Sequence, residues 1–331
     1  MQILVTGGAG YIGSHTCFAL LEAGHRVIVL DNLCNSKVST LDKIKLLTNK
    51  EIIFYPLDVT NESSVDSIFL NHRIDAVFHF AGLKSVSESV KKPLEYYYNN
   101  VVSTLILAKA CQKYNINKFI FSSSATVYGR NKVPFLEDSE LMSATTPYGE
   151  TKVISERILT DVAKANSEFS VSLLRYFNPV GAHKSGLIGE APNNIPNNLM
   201  PYITQVAKGK MRKLKIFGDD YPTVDGSGVR DYIHVVDLAL GHVAALNNLL
   251  PGVNVYNLGT GKGTSVFQLV KAFEEVNNVH VPYEITNRRS GDIAECYADV
   301  SKAEKELKWK AKLGIIDICR DAWRFEKKYE V

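Results

Sequence analysis

The chain has 331 residues, 45% of them hydrophobic and 22% charged, enough to bury one large α/β core or two ordinary domains. With 38 Lys and Arg against 35 Asp and Glu, the net charge of +3 is too even for a nucleic-acid or polyanion surface. No uncharged apolar run of about twenty residues occurs, so no membrane span is expected. The five cysteines (Cys17, Cys34, Cys111, Cys296 and Cys319) have neither C-x-x-C nor ligand-like spacing with histidine, which argues against zinc or a disulfide framework and fits a reducing cytosol.

MQILVTGG opens the chain as an apolar strand running into glycines, so no signal peptide is expected. Apolar runs rich in Val, Ile and Phe follow: ILVT (3–6), VIVL (27–30), IIFY (52–55), AVFHF (76–80), KFIFSS (118–123) and VSLLRY (171–176). Amphipathic stretches lie between them, among them Ser14 to Ala23, Ser103 to Tyr114 and the segment after Pro147. Doubly buried strands alternating with helices predict an α/β fold, a doubly wound parallel sheet with helices on both faces. After about residue 177 the texture turns to Pro, Asn and Gly, as in EAPNNIPNNLMPY and FGDDYPTVDGSG, which predicts a smaller, loop-rich mixed α/β unit over 178–331. VRDYIHVVDLALGHVAAL (229–246) and NVYNLGTG read as strand and helix again. The two lobes are therefore expected to interleave, the first spanning 1–177 with a return segment around 229–260.

ILVTGGAGYIGSH sets Gly7, Gly10 and Gly13 between the first strand and the first helix. Such glycines permit a tight turn and let backbone N–H groups approach a pyrophosphate at the helix N-terminus. About twenty residues on, Asp31 closes VIVLD, where a carboxylate grips a ribose diol. Together these predict a Rossmann dinucleotide site. Asp31 would repel a 2′-phosphate and no arginine stands beside it, so NAD is favoured over NADP.

YGETK places Tyr148 and Lys152 four apart after Pro147, on one face of a helix. On pattern alone the pair could be a solvated surface. Beside a nicotinamide, however, a phenolate made accessible by a lysine can take a proton from an alcohol while the carbon's hydride moves to the ring. Switch-point topology brings the loop after KFIFSS to the same crevice, and Ser124 is a candidate hydrogen-bond partner to that hydroxyl.

GGAGYIGSH, DNLCNS, HFAGLKSVSES, YYNNV, SSSATVYG, YGETK, RYFNPVGAH, PNNLMPYI, IFGDDYPTVDGSGVRDYIHV and RRSGD together resemble the UDP-galactose 4-epimerase family of the extended short-chain dehydrogenases/reductases, over nearly the whole chain. The resemblance implies a retained NAD and inversion of one sugar carbon. Tyr148 would deprotonate the C4 hydroxyl, hydride would pass to NAD, and the UDP-tethered 4-keto sugar would rotate and take the hydride back on its other face. Carried over residue by residue, the cofactor contacts match Gly7, Gly10, Tyr11, Ile12, Gly13, Asp31, Asn32, Asn35, Ser36, Asp58, Val59, Phe80, Ala81, Lys84, Asn99, Tyr148, Lys152 and Tyr176. The UDP-sugar contacts match Lys84, Ser124, Tyr148, Asn178, Asn198, Leu199, Ile216, Phe217, Arg230, Tyr232, Arg289 and Asp292. Arg230 and Arg289 would neutralise the diphosphate, since guanidinium offers paired donors to its oxygens.

Related dehydratases carry an acidic pair where this chain has Ser124-Ala125-Thr126, which disfavours dehydration. Cys296 falls where the family lines its sugar pocket; a small residue there leaves the volume an acetamido group needs, whereas a tyrosine ring would fill it. UDP-GlcNAc and UDP-GalNAc are thus expected beside UDP-glucose and UDP-galactose. A simply buried cysteine is the plainer reading of that position. A net UDP-sugar oxidoreductase or decarboxylase, and a non-catalytic dinucleotide sensor, are the other readings. The family's habit of pairing two helices per subunit makes Ser103 to Tyr114 and Ile154 to Ala165 candidates for a homodimer bundle.

Overall fold

Each apolar run becomes a strand and each amphipathic stretch a helix in this computed structural model, which describes residues 1–141, 144–192, 196, 198–289 and 291–329. Asn193, Asn194, Ile195, Asn197 and Ser290, from segments quoted above, lie outside the described residues. The chain begins β1 (Gln2–Thr6), α1 (Tyr11–Glu22), β2 (Arg26–Leu30), α2 (Ser39–Thr48), β3 (Ile52–Tyr55) and α3 (Glu62–Asn71). It continues β4 (Ala76–His79), α4 (Val86–Lys91), α5 (Pro93–Lys113), β5 (Lys118–Ser124), α6 (Pro147–Ala165) and β6 (Ser170–Tyr176). These β-strands and a later one, β11, form one sheet.

Between β6 and β11 come β7 (Asn178–Val180), α7 (Leu199–Ala207), β8 (Leu214–Phe217), β9 (Val229–Arg230), β10 (Tyr232–His234) and α8 (Val235–Asn247). Then follow β11 (Gly252–Leu258), β12 (Thr264–Ser265), α9 (Val266–Asn277), β13 (Tyr283–Thr286), β14 (Glu295–Cys296), α10 (Ser301–Glu306) and α11 (Ile315–Lys328). The seven-stranded sheet has the order β11-β6-β5-β4-β1-β2-β3, every neighbouring pair parallel. From β1 the chain winds outward through β2 and β3, then crosses back to β4, so strand order reverses between β1 and β4. That reversal opens a crevice beyond the carboxyl ends of the strands.

Alternate side chains of the strands feed two cores, as the two-residue period demands. Ile3, Val5, Val27, Val29 and Phe78 pack with Leu20 of α1, Ile44 of α2 and Leu238 of α8. Leu4, Ile28, Val77, Phe119 and Leu173 face Ile68 of α3, Leu107 of α5 and Leu159 of α6 on the other side. A third core joins Ile203 of α7, Leu214 and Ile216 of β8, Phe273 of α9 and Ile318 of α11, forming the smaller unit. A fourth links Ala125, Val127 and Tyr128, just after β5, to Phe135, Val153, Phe177 and Ala298, with Cys296 packed against it.

Most strands keep their expected bounds within one residue, and one helix is much longer than expected. The helix foreseen from Ser103 starts ten residues earlier at Pro93, because proline at the first helical position costs no backbone bond and the aromatic run after it carries no apolar stripe. The AVFHF strand stops at His79, and Phe80 turns into the crevice loop.

Candidate active site

The turn from β1 to α1 is built for close backbone approach. Gly7 has φ +69°, and a Cβ there would lie 2.7 Å from the Ala81 backbone nitrogen; at Gly13 it would lie 2.1 Å from the Gly7 carbonyl oxygen. Gly10 is the N-cap of α1, with no side-chain cap bond and no acidic residue in the first turn, so the N–H groups of Tyr11, Ile12 and Gly13 stand free of intrahelical partners. The Tyr11 hydroxyl donates to the Gly181 carbonyl oxygen at 2.7 Å, tying this turn to the RYFNPVGAH segment.

Asp31, buried just after β2, accepts Ala9 N–H at 3.0 Å on one oxygen, and Leu33 N–H and the Ser36 hydroxyl at 2.9 Å on the other. Asn32 donates to Asp58 at 2.8 Å. Burial tends to raise the Asp58 carboxyl, but hydrogen bonds from Thr60 and Asn32 outweigh it and hold the group below its ordinary range. Val59 is buried beside it, and Asn35 is exposed at the loop tip. Asn99 donates to Asn100, which in turn clamps both backbone groups of Leu83 in the loop that carries Phe80, Ala81 and Lys84.

Ser124 ends β5, and its Oγ accepts the Thr126 N–H at 3.3 Å and the Thr126 hydroxyl at 3.0 Å. Tyr148 sits in the first turn of α6, after Pro147 at the first helical position and the Thr146 N-cap. Burial pushes its phenol up, and the neighbouring Ser124 side chain works against that shift. Lys152 is buried, donates to the Ser122 carbonyl oxygen at 2.6 Å and lies 4.9 Å from the Phe121 ring centre. Burial brings it down to about 8, opposed by the Glu156 carboxylate. The sequence reading held the ammonium against the phenol. The partner the structure gives the ammonium is the Ser122 carbonyl oxygen near the end of β5.

Tyr176 ends β6 with its hydroxyl on His242 of α8. His242 donates through Nδ1 to the Leu238 carbonyl oxygen at 2.8 Å, so its Nε2 accepts the Tyr176 proton, and burial brings the imidazole down to about 4.

Across the crevice, Arg230 of β9 lies 4.0 Å from Asp292, and Arg289 donates to Asp292 at 2.9 Å while stacking over Phe217 at 4.7 Å. Tyr232, buried on β10, is pushed up to about 12 by burial against the pull of both arginines. Cys296 of β14 pairs in register with Arg230, and burial pushes its thiol up to about 11 despite that arginine, which disfavours the thiolate. Asn178 begins β7 and donates its backbone N–H to the Asp231 carbonyl oxygen at 2.9 Å. Asn198 caps α7 ahead of Leu199, and its amide and Lys84 both donate to Glu190, at 2.6 Å and 2.9 Å. Ile216 is brought to the edge of this group only by its backbone, since its side chain fills the smaller unit's core.

The family model described as NAD dependent epimerase/dehydratase family matches residues 3–259. A UDP-glucose 4-epimerase of Bacillus subtilis (strain 168) is 57% identical, over 98% of this chain and 97% of the relative. The chain belongs to the UDP-glucose 4-epimerase group of that family. The crystal structure of UDP-glucose 4-epimerase from Bifidobacterium longum in complex with NAD+ and UDP is similar, with TM-score 0.97 and 51% identity over 99% of this chain and 98% of that one. The UDP-Glc/GlcNAc 4-epimerase from Campylobacter jejuni has TM-score 0.85 and 38% identity, covering 99% of each chain.

NAD is the family's cofactor, and the residues fit it. The turn at Gly7 and Gly13 has no room for a Cβ, the first N–H groups of α1 are free, and Asp31 presents a carboxylate at the end of β2. Sequence reasoning passed over Glu190, which lies in a loop without periodicity, and His242, which lies in an apolar helix and reads as core. A histidine on α8 opposite a tyrosine ending β6 becomes visible only once the sheet order is known.

Proposed function

We propose that the chain is a UDP-hexose 4-epimerase that inverts C4 through a 4-keto intermediate with tightly bound NAD. The observation that supports this reading is Tyr148, Lys152 and Ser124 gathered where the end of β5 meets the start of α6, together with the Arg230, Arg289 and Asp292 cluster. The first group suits an alcohol and a nicotinamide; the second suits a diphosphate and a ribose hydroxyl.

Tyr148 takes the proton of the C4 hydroxyl at its phenolic oxygen and later returns it. Its phenol starts above the ordinary value, so the phenolate needs added positive charge, and Lys152 at about 8 still carries most of its proton at neutral pH. Ser124 bridges the same hydroxyl. When bound, NAD would supply the acceptor and donor for the C4 hydride. Arg230 and Arg289 hold the UDP while the ketone turns over, and Tyr176, fixed by His242, walls the pocket. The cofactor unit is residues 1–177 with a return over 229–260, and the rest of 178–331 binds the UDP-sugar. The free cysteines fit a cytoplasmic enzyme, and α5, which exposes Leu94, Tyr98 and Leu105 beside α6, is the face for a homodimer.

Cys296, small and packed beside Ala125, supports turnover of UDP-GlcNAc and UDP-GalNAc as well. Incubation of the purified protein with UDP-glucose or UDP-GlcNAc, with no added NAD, tests both parts by chromatography. UDP-galactose and UDP-GalNAc are the expected products; UDP-galactose alone would sink the broad substrate range, and neither product would sink the epimerase. Cys296→Tyr should abolish the acetylated reaction and spare the other, and equal turnover of the acetylated pair by both proteins would remove Cys296 from the specificity account.

A further inference from the structure

Beneath the reacting groups lies a buried ion pair that the proposed mechanism leaves unused. Arg175 of β6 donates through Nε and Nη2 to the two oxygens of Glu156 on α6, at 3.0 Å and 2.7 Å, and both side chains are 5% exposed. The Ser123 hydroxyl of β5 donates to the same carboxylate at 2.5 Å. The guanidinium lies over the Tyr128 ring at 4.8 Å and reaches the Glu137 carbonyl oxygen at 3.1 Å. Each member neighbours a site residue: Ser123 precedes Ser124, Arg175 precedes Tyr176, and Glu156 lies one turn beyond Lys152 and two beyond Tyr148 on one face of α6.

We propose that Glu156 is a positioning residue for the reaction: clamped by Ser123 and Arg175, it fixes the ends of β5 and β6 against α6 and supplies a buried carboxylate one helical turn from Lys152. The inference rests on the epimerase reading for its kinetic consequence, not for its geometry. A clamp built only for stability has no need of charge, since a buried ion pair is seldom better than well-packed apolar residues. The other groups facing Lys152 give no such support. On α6, Tyr148 is a phenol raised by burial; from β4, His79 is brought down to about 3 and is neutral; from β6, Tyr176 is a phenol held to His242 and Arg175 is cationic, turned onto Glu156.

The test is the titration of Lys152 in the holoenzyme, followed by NMR with lysine labelled at the ε-carbon and assigned by its loss in Lys152→Arg. In Glu156→Gln the Lys152 midpoint should fall by about one pH unit, and the alkaline limb of kcat for UDP-glucose should fall with it while KM stays within about twofold. An unmoved midpoint would overturn the proposal. Ser123→Ala, a small change safe for folding, should lower kcat about threefold or more with KM unchanged, and an unchanged kcat would overturn the clamp. A wild-type protein unable to interconvert UDP-glucose and UDP-galactose would defeat the epimerase reading, yet the titration would still decide the role of Glu156.

Discussion

In the proposed reaction Tyr148 would act with Lys152 and Ser124, and only the lysine could be read from spacing. The Tyr148 and Lys152 separation of four follows from helical geometry, so their common face was legible. Which oxygen the ammonium would meet depended on how β5 ends against α6, a tertiary fact that no local pattern encodes; Ser122 took that place. Arg230, Arg289 and Asp292 were legible through their motifs, whereas Glu190, the shared acceptor of Lys84 and Asn198, was not. Removing the phenolic oxygen in Tyr148→Phe should lower kcat by about 10²–10⁴, the range for a lost general base, with KM little changed and NAD still bound. A kcat within tenfold of wild type in a rapid-quench assay would assign the proton transfer to another group.

At the scale of elements, the six apolar runs of the first half became strands because their continuous Val, Ile and Phe content suits a sheet covered on both faces. Helix α8 and the seventh strand, β11, were legible as a segment returning to the first lobe, but the place of β11 at the sheet edge beside β6 was not, since local periodicity does not encode strand order. The short strands β12 and β14, two residues each, carry too little pattern to be read at all. The turn from β1 to α1 leaves no room for an added side-chain carbon. In Gly13→Ala the new Cβ meets the Gly7 carbonyl at 2.1 Å, so the backbone must shift. Overpacking of this kind costs about 1–3 kcal/mol, and NAD retention should weaken about tenfold or more. Nucleotide extracted from the purified variant measures it, and full NAD content would contradict the role given to the turn.

For the whole molecule, three buried imidazoles set the acid limit. His15 and His79 are brought down to about 3, and His242 to about 4, chiefly by burial. Their unfolded value of about 6.5 means that below that pH the unfolded chain binds three protons the native one refuses. Stability contributed by these groups is therefore whole above pH 6.5 and lost as pH falls toward 4, at up to about 4 kcal/mol per pH unit. Denaturant unfolding at pH 7 and pH 5 should give a clear drop, with proton uptake on unfolding; equal stability at the two values would mean that these rings are protonated or solvated in the native chain. Composition placed the chain among globular proteins and the alternation of apolar runs with amphipathic stretches gave the doubly wound sheet, but the burial of these particular histidines emerges only when α1 and α8 pack on the sheet that holds β4.

One labelled substrate tests the central claim most directly. UDP-glucose carrying deuterium at C4 is incubated with the purified protein in ordinary water, without added NAD, and the product is analysed by mass spectrometry and NMR. A retained cofactor that takes the C4 hydride and returns it to the same carbon gives UDP-galactose with its deuterium still at C4. Product that has lost the label to water, or a reaction that runs only with added NAD and stops at one turnover, would contradict an epimerase of this kind.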